Sequence, residues 1–151
     1  MKRVYLDHAA TTPVDPEVAE AMDRVLRDTH GNPSSIYAEG RAARELVDRA
    51  REEVAAALGA QPTEIVFTSG GTESVHLALR GAVTALYQAR GRRPVHVIST
   101  AVEHSAVLKT LDGLQAEGLA SATLLPVDRF GRLDWEGLKA ACTRLAEGDS
   151  T

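Results

Sequence analysis

The stretch IVFTSGGTESVHLALRGAV, residues 65–83, decides the fold. Ile65-Val66-Phe67-Thr68 is a short apolar run of strand type. Ser69-Gly70-Gly71-Thr72 is a tight loop, and a helical apolar period follows from Glu73 to about Arg90, stopping at Gly91. A glycine pair between a strand and a helix lets the main chain come close to a ligand. The first helical turn leaves N–H groups unpaired, and the helix dipole adds partial positive charge, so the loop presents donors to an anion. Thr72 and Ser69 add hydroxyl donors. A plain strand-to-helix turn, with Ser or Thr serving only as a cap, reads equally well on this local pattern. GxxxxGK[ST] and GxGxxG are both absent, which removes the main support for a nucleotide or dinucleotide site.

The same alternation continues downstream. Val95–Ser99 reads as a strand, Ser105–Glu117 as a helix ending at Gly118, and Ala122–Val127 as a third strand. Residues 128–132 form a turn, and Asp134 caps a last helix to about Leu145. Strand and helix in alternation mean parallel pairing with crossover helices, hence an α/β layered domain. Upstream, Val4-Tyr5-Leu6 is a strand candidate. Asp15 caps a helix with Pro16 at its first position and Val18, Met22, Val25 and Leu26 on one face. A second helix spans about Ser35 to Leu58, with Ala43, Leu46, Val47, Ala50, Val54 and Leu58 as its stripe and Gly59 as its stop.

Composition narrows the class. The chain has 151 residues, formal charge −4, 44% hydrophobic and 25% charged residues. That is globular material of about one domain and not a disordered or fibrous composition. No window reaches the roughly 18 apolar residues of a membrane span, and MKRVYLDHAA lacks an apolar signal core. No basic stripe marks a nucleic-acid partner. The expectation is a cytoplasmic protein without membrane or nucleic-acid contacts. One cysteine excludes an intrachain disulfide framework, and no histidine or carboxylate spacing supports a metal site. Cys142 shares a stripe with Leu138, Ala141 and Leu145 and reads as a small core residue.

His104 is the second candidate for chemistry. It follows a strand and precedes a helix, the place beyond the carboxyl ends of strands where open α/β sheets bind ligands. The alternative is a surface or helix-capping histidine. His96, between Val95 and Val97, reads as packed or surface structure, and His8 and His30 lie in separate loops. Lys109, one turn past His104, faces solvent.

Four blocks together resemble the N-terminal part of cysteine desulfurases of the NifS/IscS type, in the class V aminotransferase group of fold-type I pyridoxal-phosphate (PLP) enzymes. They are YLDHAATTPVDPEV (5–18), HGNPSSIYAEGR (30–41), EIVFTSGGTESVHLAL (64–79) and ISTAVEHSAVLKTL (98–111). The opening block and the GNPSS loop look closer to this type than to the other desulfurase group or the selenocysteine lyases. The resemblance implies an incomplete three-layer large domain with a mostly parallel sheet and flanking helices. Residues 1–15 would be an N-terminal segment of the small-domain and active-site region, and residues 16–151 part of the PLP-binding large domain.

By motif, Gly71 and Thr72 would bind the cofactor phosphate. His104 would stack on the pyridine ring and help proton transfer, and Asn32, Ala10 and Thr11 would line the substrate side. The chain departs from the family at Val75-His76, where an asparagine is usual. The implied activity converts L-cysteine to L-alanine and passes persulfide sulfur to iron–sulfur scaffolds or tRNA-thiolation enzymes, in a homodimer. The Schiff-base lysine, the aspartate for the pyridine nitrogen, the nucleophilic cysteine and the carboxylate-binding arginine of the family are expected beyond Thr151, so the chain alone is expected to be inactive and marginally stable. Alternatives are another class V PLP enzyme (an aminotransferase or selenocysteine lyase) and a non-catalytic remnant or binding module.

Overall fold

A computed structural model of the chain describes residues 4–146. It forms two compact units, Met1–Val66 and Phe67–Thr151. In the first, α1 (Pro16–Asp28) starts where the sequence says it should. Asp15 accepts a hydrogen bond from the Glu17 N–H at 2.9 Å, and Pro16 takes the first helical position. Its apolar stripe is not a core face, because Val18, Met22, Val25 and Leu26 are all exposed. The second helix, α2 (Ala38–Leu58), starts three residues later than the sequence suggests, because residues 32–35 form a turn in which Ser35 donates to the Asn32 carbonyl. Gly40 explains this join. A Cβ there would stand 2.8 Å from the Asn32 oxygen and 2.7 Å from Ser35 Cβ, so only glycine lets the GNPSS loop lie against the first turn of α2.

The second unit holds α3 (Gly71–Ala89), β1 (Val95–Thr100), α4 (Ser105–Ala116), β2 (Ala120–Leu125) and α5 (Trp135–Ala146). The two strands pair in parallel, Val95 with Ala120 through Thr100 with Leu125. Val83 of α3, Leu114 of α4, Val95 and Ala120 form the core, with Tyr87, Val97 and Leu119 packed around them. His96 ties the strands together, its Nδ1 2.8 Å from Ser121 Oγ and its Nε2 2.9 Å from Thr123 Oγ1. Beyond β2, Asp128 accepts from the N–H groups of Phe130 and Arg132 and so fixes the turn into α5, which Asp134 caps.

Helices α2, α3 and α4 end alike. Gly59, Gly91 and Gly118 take left-handed φ angles of 67°, 68° and 70°. The N–H groups of Ala60, Arg92 and Leu119 reach back to Ala55, Tyr87 and Leu114, the Schellman closure.

Three strand expectations change. Val4–Leu6 and Ile65–Thr68 join no ladder among the described residues. An apolar run becomes a strand only by pairing, and Val4, Leu6, Val66 and Phe67 are exposed. The strand expected at 122–127 lies at 120–125, because the α4 closure at Gly118 delivers the chain into the ladder at once. Cys142 is exposed, and its neighbour Ala141 takes the buried position on α5.

Candidate functional site

The first turn of α3 is the candidate functional feature of the second unit. Gly70 occupies the N-cap position without a side-chain cap, so the simple Ser/Thr-cap alternative does not hold. Among the described residues no acceptor pairs with the N–H of Gly71, Thr72 or Glu73; the first helical donor satisfied is Ser74, on the Gly70 carbonyl at 3.0 Å. The starts of α1, α4 and α5, in contrast, are each closed by a side chain. A Cβ on Gly70 or Gly71 would meet nothing within 4 Å, so this glycine pair keeps the approach to the amides open and relieves no crowding within the chain.

The hydroxyls of the loop divide into two groups. Ser69 is not free to donate outward: its N–H and its Oγ both give hydrogen bonds to Glu73 Oε2, each at 2.6 Å. Those bonds, the side-chain one first, hold the Glu73 carboxyl below its ordinary value of 4.5. Thr68 and Ser74 turn their hydroxyls to each other at 2.6 Å and to the Gly70 carbonyl. The Thr72 hydroxyl has no hydrogen-bond partner among the described residues, and Thr72 lines the hollow beside the loop.

An open hollow of about 480 Å³ lies along these groups, lined by Ser69, Thr72, Glu73 and His76 of the α3 side and by Ala106, Lys109 and Thr110 of α4. His76 has a definite partner. The buried Thr110 hydroxyl donates to the Ala106 carbonyl at 2.7 Å, so its oxygen accepts from His76 Nδ1–H at 3.3 Å. A neutral His76 therefore has its lone pair on Nε2, which has no hydrogen-bond partner among the described residues. Sequence reasoning missed this pair because the partners are 34 residues apart. One turn along α3, Arg80 and Glu117 form a 2.6 Å ion pair. The hydrogen bond between them raises the arginine pKa and lowers that of the glutamate.

His104 is the N-cap of α4, its Nδ1 accepting from the Ala106 N–H at 3.1 Å. Acceptance at Nδ1 makes the neutral ring an Nε2–H tautomer, and that donor has no acceptor among the described residues. In the first unit, Asn32 Oδ1 accepts from the Ser34 N–H at 2.9 Å, and Ala10 and Thr11 donate their N–H groups to the Asp7 carbonyl. No group of three or more potential metal ligands occurs among the described residues.

A parallel β–α–β unit beside an open, glycine-led helix N-terminus is the layout of a phosphate-binding α/β enzyme domain. The family comparison makes this specific: the chain belongs to the class-V aminotransferase family, whose pattern matches residues 4–146. It is 49% identical to the cysteine desulfurase IscS of Dictyoglomus turgidum over 142 residues, 93% of this chain and 35% of that protein. It is 38% identical to the selenocysteine lyase of Bos taurus, again over 93% of this chain and 35% of the relative. A solved NifS-like protein superposes with a TM-score of 0.81 at 39% identity, covering 92% of this chain and 37% of that one. The chain thus spans about a third of the length of the relatives it matches. Its fold is a partial α/β domain of the fold-type I kind, and the class-V aminotransferases and cysteine desulfurases are PLP-dependent enzymes. The donor types suit that cofactor's phosphate: the amides of Gly71, Thr72 and Glu73 have no acceptor among the described residues, and Thr72 and Lys109 both line the hollow, whereas Gly71 and His104 are not among its lining residues.

Proposed function

We infer that this chain carries the phosphate cup and ring-facing imidazole of a PLP-dependent cysteine desulfurase. The observation that supports it is the open N-terminus of α3, with the Gly71 and Thr72 amides unpaired among the described residues beside the Thr72 hydroxyl. In this reading those groups hold the phosphate dianion. Thr72 orients it, and the α3 dipole adds favourable charge. His104, its Nδ1 engaged by Ala106, offers a fixed ring face to the pyridine and an Nε2–H for proton movement. Asn32, Ala10 and Thr11 serve the substrate side. PLP, when bound, supplies the electron sink that lets bonds to the substrate's Cα and Cβ be broken and remade.

The reaction we assign to the whole protein takes L-cysteine to L-alanine. A cysteine thiolate attacks the substrate sulfur, the carbon–sulfur bond breaks, and the sulfur stays on the enzyme as a persulfide. Acceptors of that sulfur are iron–sulfur scaffolds or tRNA-thiolation enzymes, and the working form is a cytoplasmic homodimer. A selenocysteine lyase is the second reading, favoured by the 38% identical relative.

The test is a titration of the isotope-labelled chain with PLP and with inorganic phosphate, followed by amide NMR. Saturable shifts at Gly71 and Thr72 are expected for both ligands, together with weaker binding by about ten- to a hundredfold in Thr72→Val, the size of one hydrogen bond to a charged group. Shifts confined to other residues would refute the assignment. Sulfide release against selenide release by any full-length enzyme that carries this sequence separates the two readings.

A further inference from the structure

Glu73 is an acidic residue on the wall of a hollow assigned above to a phosphate, where its charge opposes the ligand. The geometry shows what it does in return. One oxygen, Oε2, collects both protons that Ser69 can offer, N–H and Oγ–H, at 2.6 Å each. Ser69 immediately precedes Gly70-Gly71, two residues whose missing side chains leave the backbone wide conformational freedom and open space around each Cα. The glycine pair that opens the approach would also let the amides turn away. Thr68 and Ser74 fasten the Gly70 carbonyl through their hydroxyls. The Ser69 side of the loop has its contacts to Glu73 as a tether.

We propose that Glu73 is a positioning residue for the phosphate: by latching Ser69 it keeps the Gly71 and Thr72 amides aimed outward, and this outweighs the repulsion of its own charge. The proposal rests on the phosphate-cup reading of α3. The chemistry favours the latch because the carboxylate is engaged in two charge-assisted hydrogen bonds, about twice as strong as neutral ones. Repulsion across an open hollow is weakened by water and salt. The depressed ionisation of Glu73 is the thermodynamic counterpart of the same two bonds.

The two roles predict opposite signs. The labelled 151-residue chain is titrated at pH 7 with inorganic sulfate, a dianion of fixed charge, and the Gly71 and Thr72 amide shifts are read. Glu73→Ala removes latch and charge together. It is expected to bind about fivefold more weakly, the scale of a lost capping interaction, whereas a merely repulsive carboxylate would make it bind more tightly. Glu73→Gln keeps an acceptor oxygen in reach and drops the charge, and it is expected to restore wild-type affinity or exceed it. Retention of the β1 and β2 amide dispersion checks the fold. If Glu73→Ala loses that dispersion, Glu73→Asp decides, since it keeps the charge and loses the reach: weaker binding supports the latch. Wild-type or tighter binding by the deciding variant overturns it. Absence of Gly71 and Thr72 shifts in the wild-type chain would overturn the cup itself, and so is distinguishable from failure of the latch alone.

Discussion

Ser69 and Glu73 show how residue-level chemistry can be half visible in a sequence. The glycine pair before a helical period marks an anion-presenting loop, and a histidine between a strand and a helix marks the sheet edge. What the sequence does not show is which hydroxyl is engaged within the loop. Ser69 and Thr72 look alike on paper, yet a glutamate four positions on captures one and leaves the other. The His76–Thr110 contact was hidden for a different reason, since it links two helices. The latch also carries a pH signature. The folded-state pKa of Glu73 is lowered, so its stabilising contribution is fully present above the ordinary value of 4.5 and is lost as pH falls through the depressed one. In an acid titration the Ser69 amide resonance is therefore expected to move together with the Glu73 carboxyl carbon, with a midpoint below 4.5. Movement centred above that value would contradict the assigned hydrogen bonds.

At the scale of elements, caps and stops were legible locally, whereas which apolar runs find a strand partner was legible only in part. Caps and stops are written within a few residues of where they act, so Asp15, Asp134, Gly59, Gly91 and Gly118 were all readable. Strand status depends on a partner elsewhere in the chain, and Val4–Leu6 and Ile65–Thr68 have none among the described residues. The stripe of α1 had the right period, yet period alone does not say what covers it. Two glycine substitutions test the element-level account because they should act in opposite directions. Gly40→Ala drives a Cβ into the Asn32 and Ser35 backbone region and is expected to cost about 1–3 kcal/mol. Gly81→Ala in the middle of α3 meets nothing within 4 Å and is expected to gain about 0.4–1 kcal/mol. Leu114→Ala, in a fully buried core position, should cost about 2–5 kcal/mol. Denaturant midpoints at constant slope measure all three.

For the molecule as a whole, the α/β character and the parallel pairing were legible, because strand and helix periods alternate along residues 95–125. The chain exposes much apolar surface, including Val18, Met22 and Leu26 on α1 and Phe130 and Trp135 around the start of α5. Such surface seeks a partner. The 151-residue chain by itself is expected to self-associate, with a sedimentation coefficient that rises with concentration. A single concentration-independent monomer boundary would count against this. It is also expected to release neither sulfide nor alanine from L-cysteine with added PLP. That expectation rests on the resemblance, which implies a Schiff-base lysine and a nucleophilic cysteine other than Lys2, Lys109, Lys139 and Cys142.

The imidazole of His96 offers a practical handle on this domain. It straddles the β1–β2 seam with one nitrogen on Ser121 and the other on Thr123, so a slip of one residue between the strands would break both contacts at once. The nitrogen resonances of this single ring therefore act as a vernier for strand alignment. They distinguish a correctly zipped seam from a compact but misaligned one, long before any enzymatic readout exists.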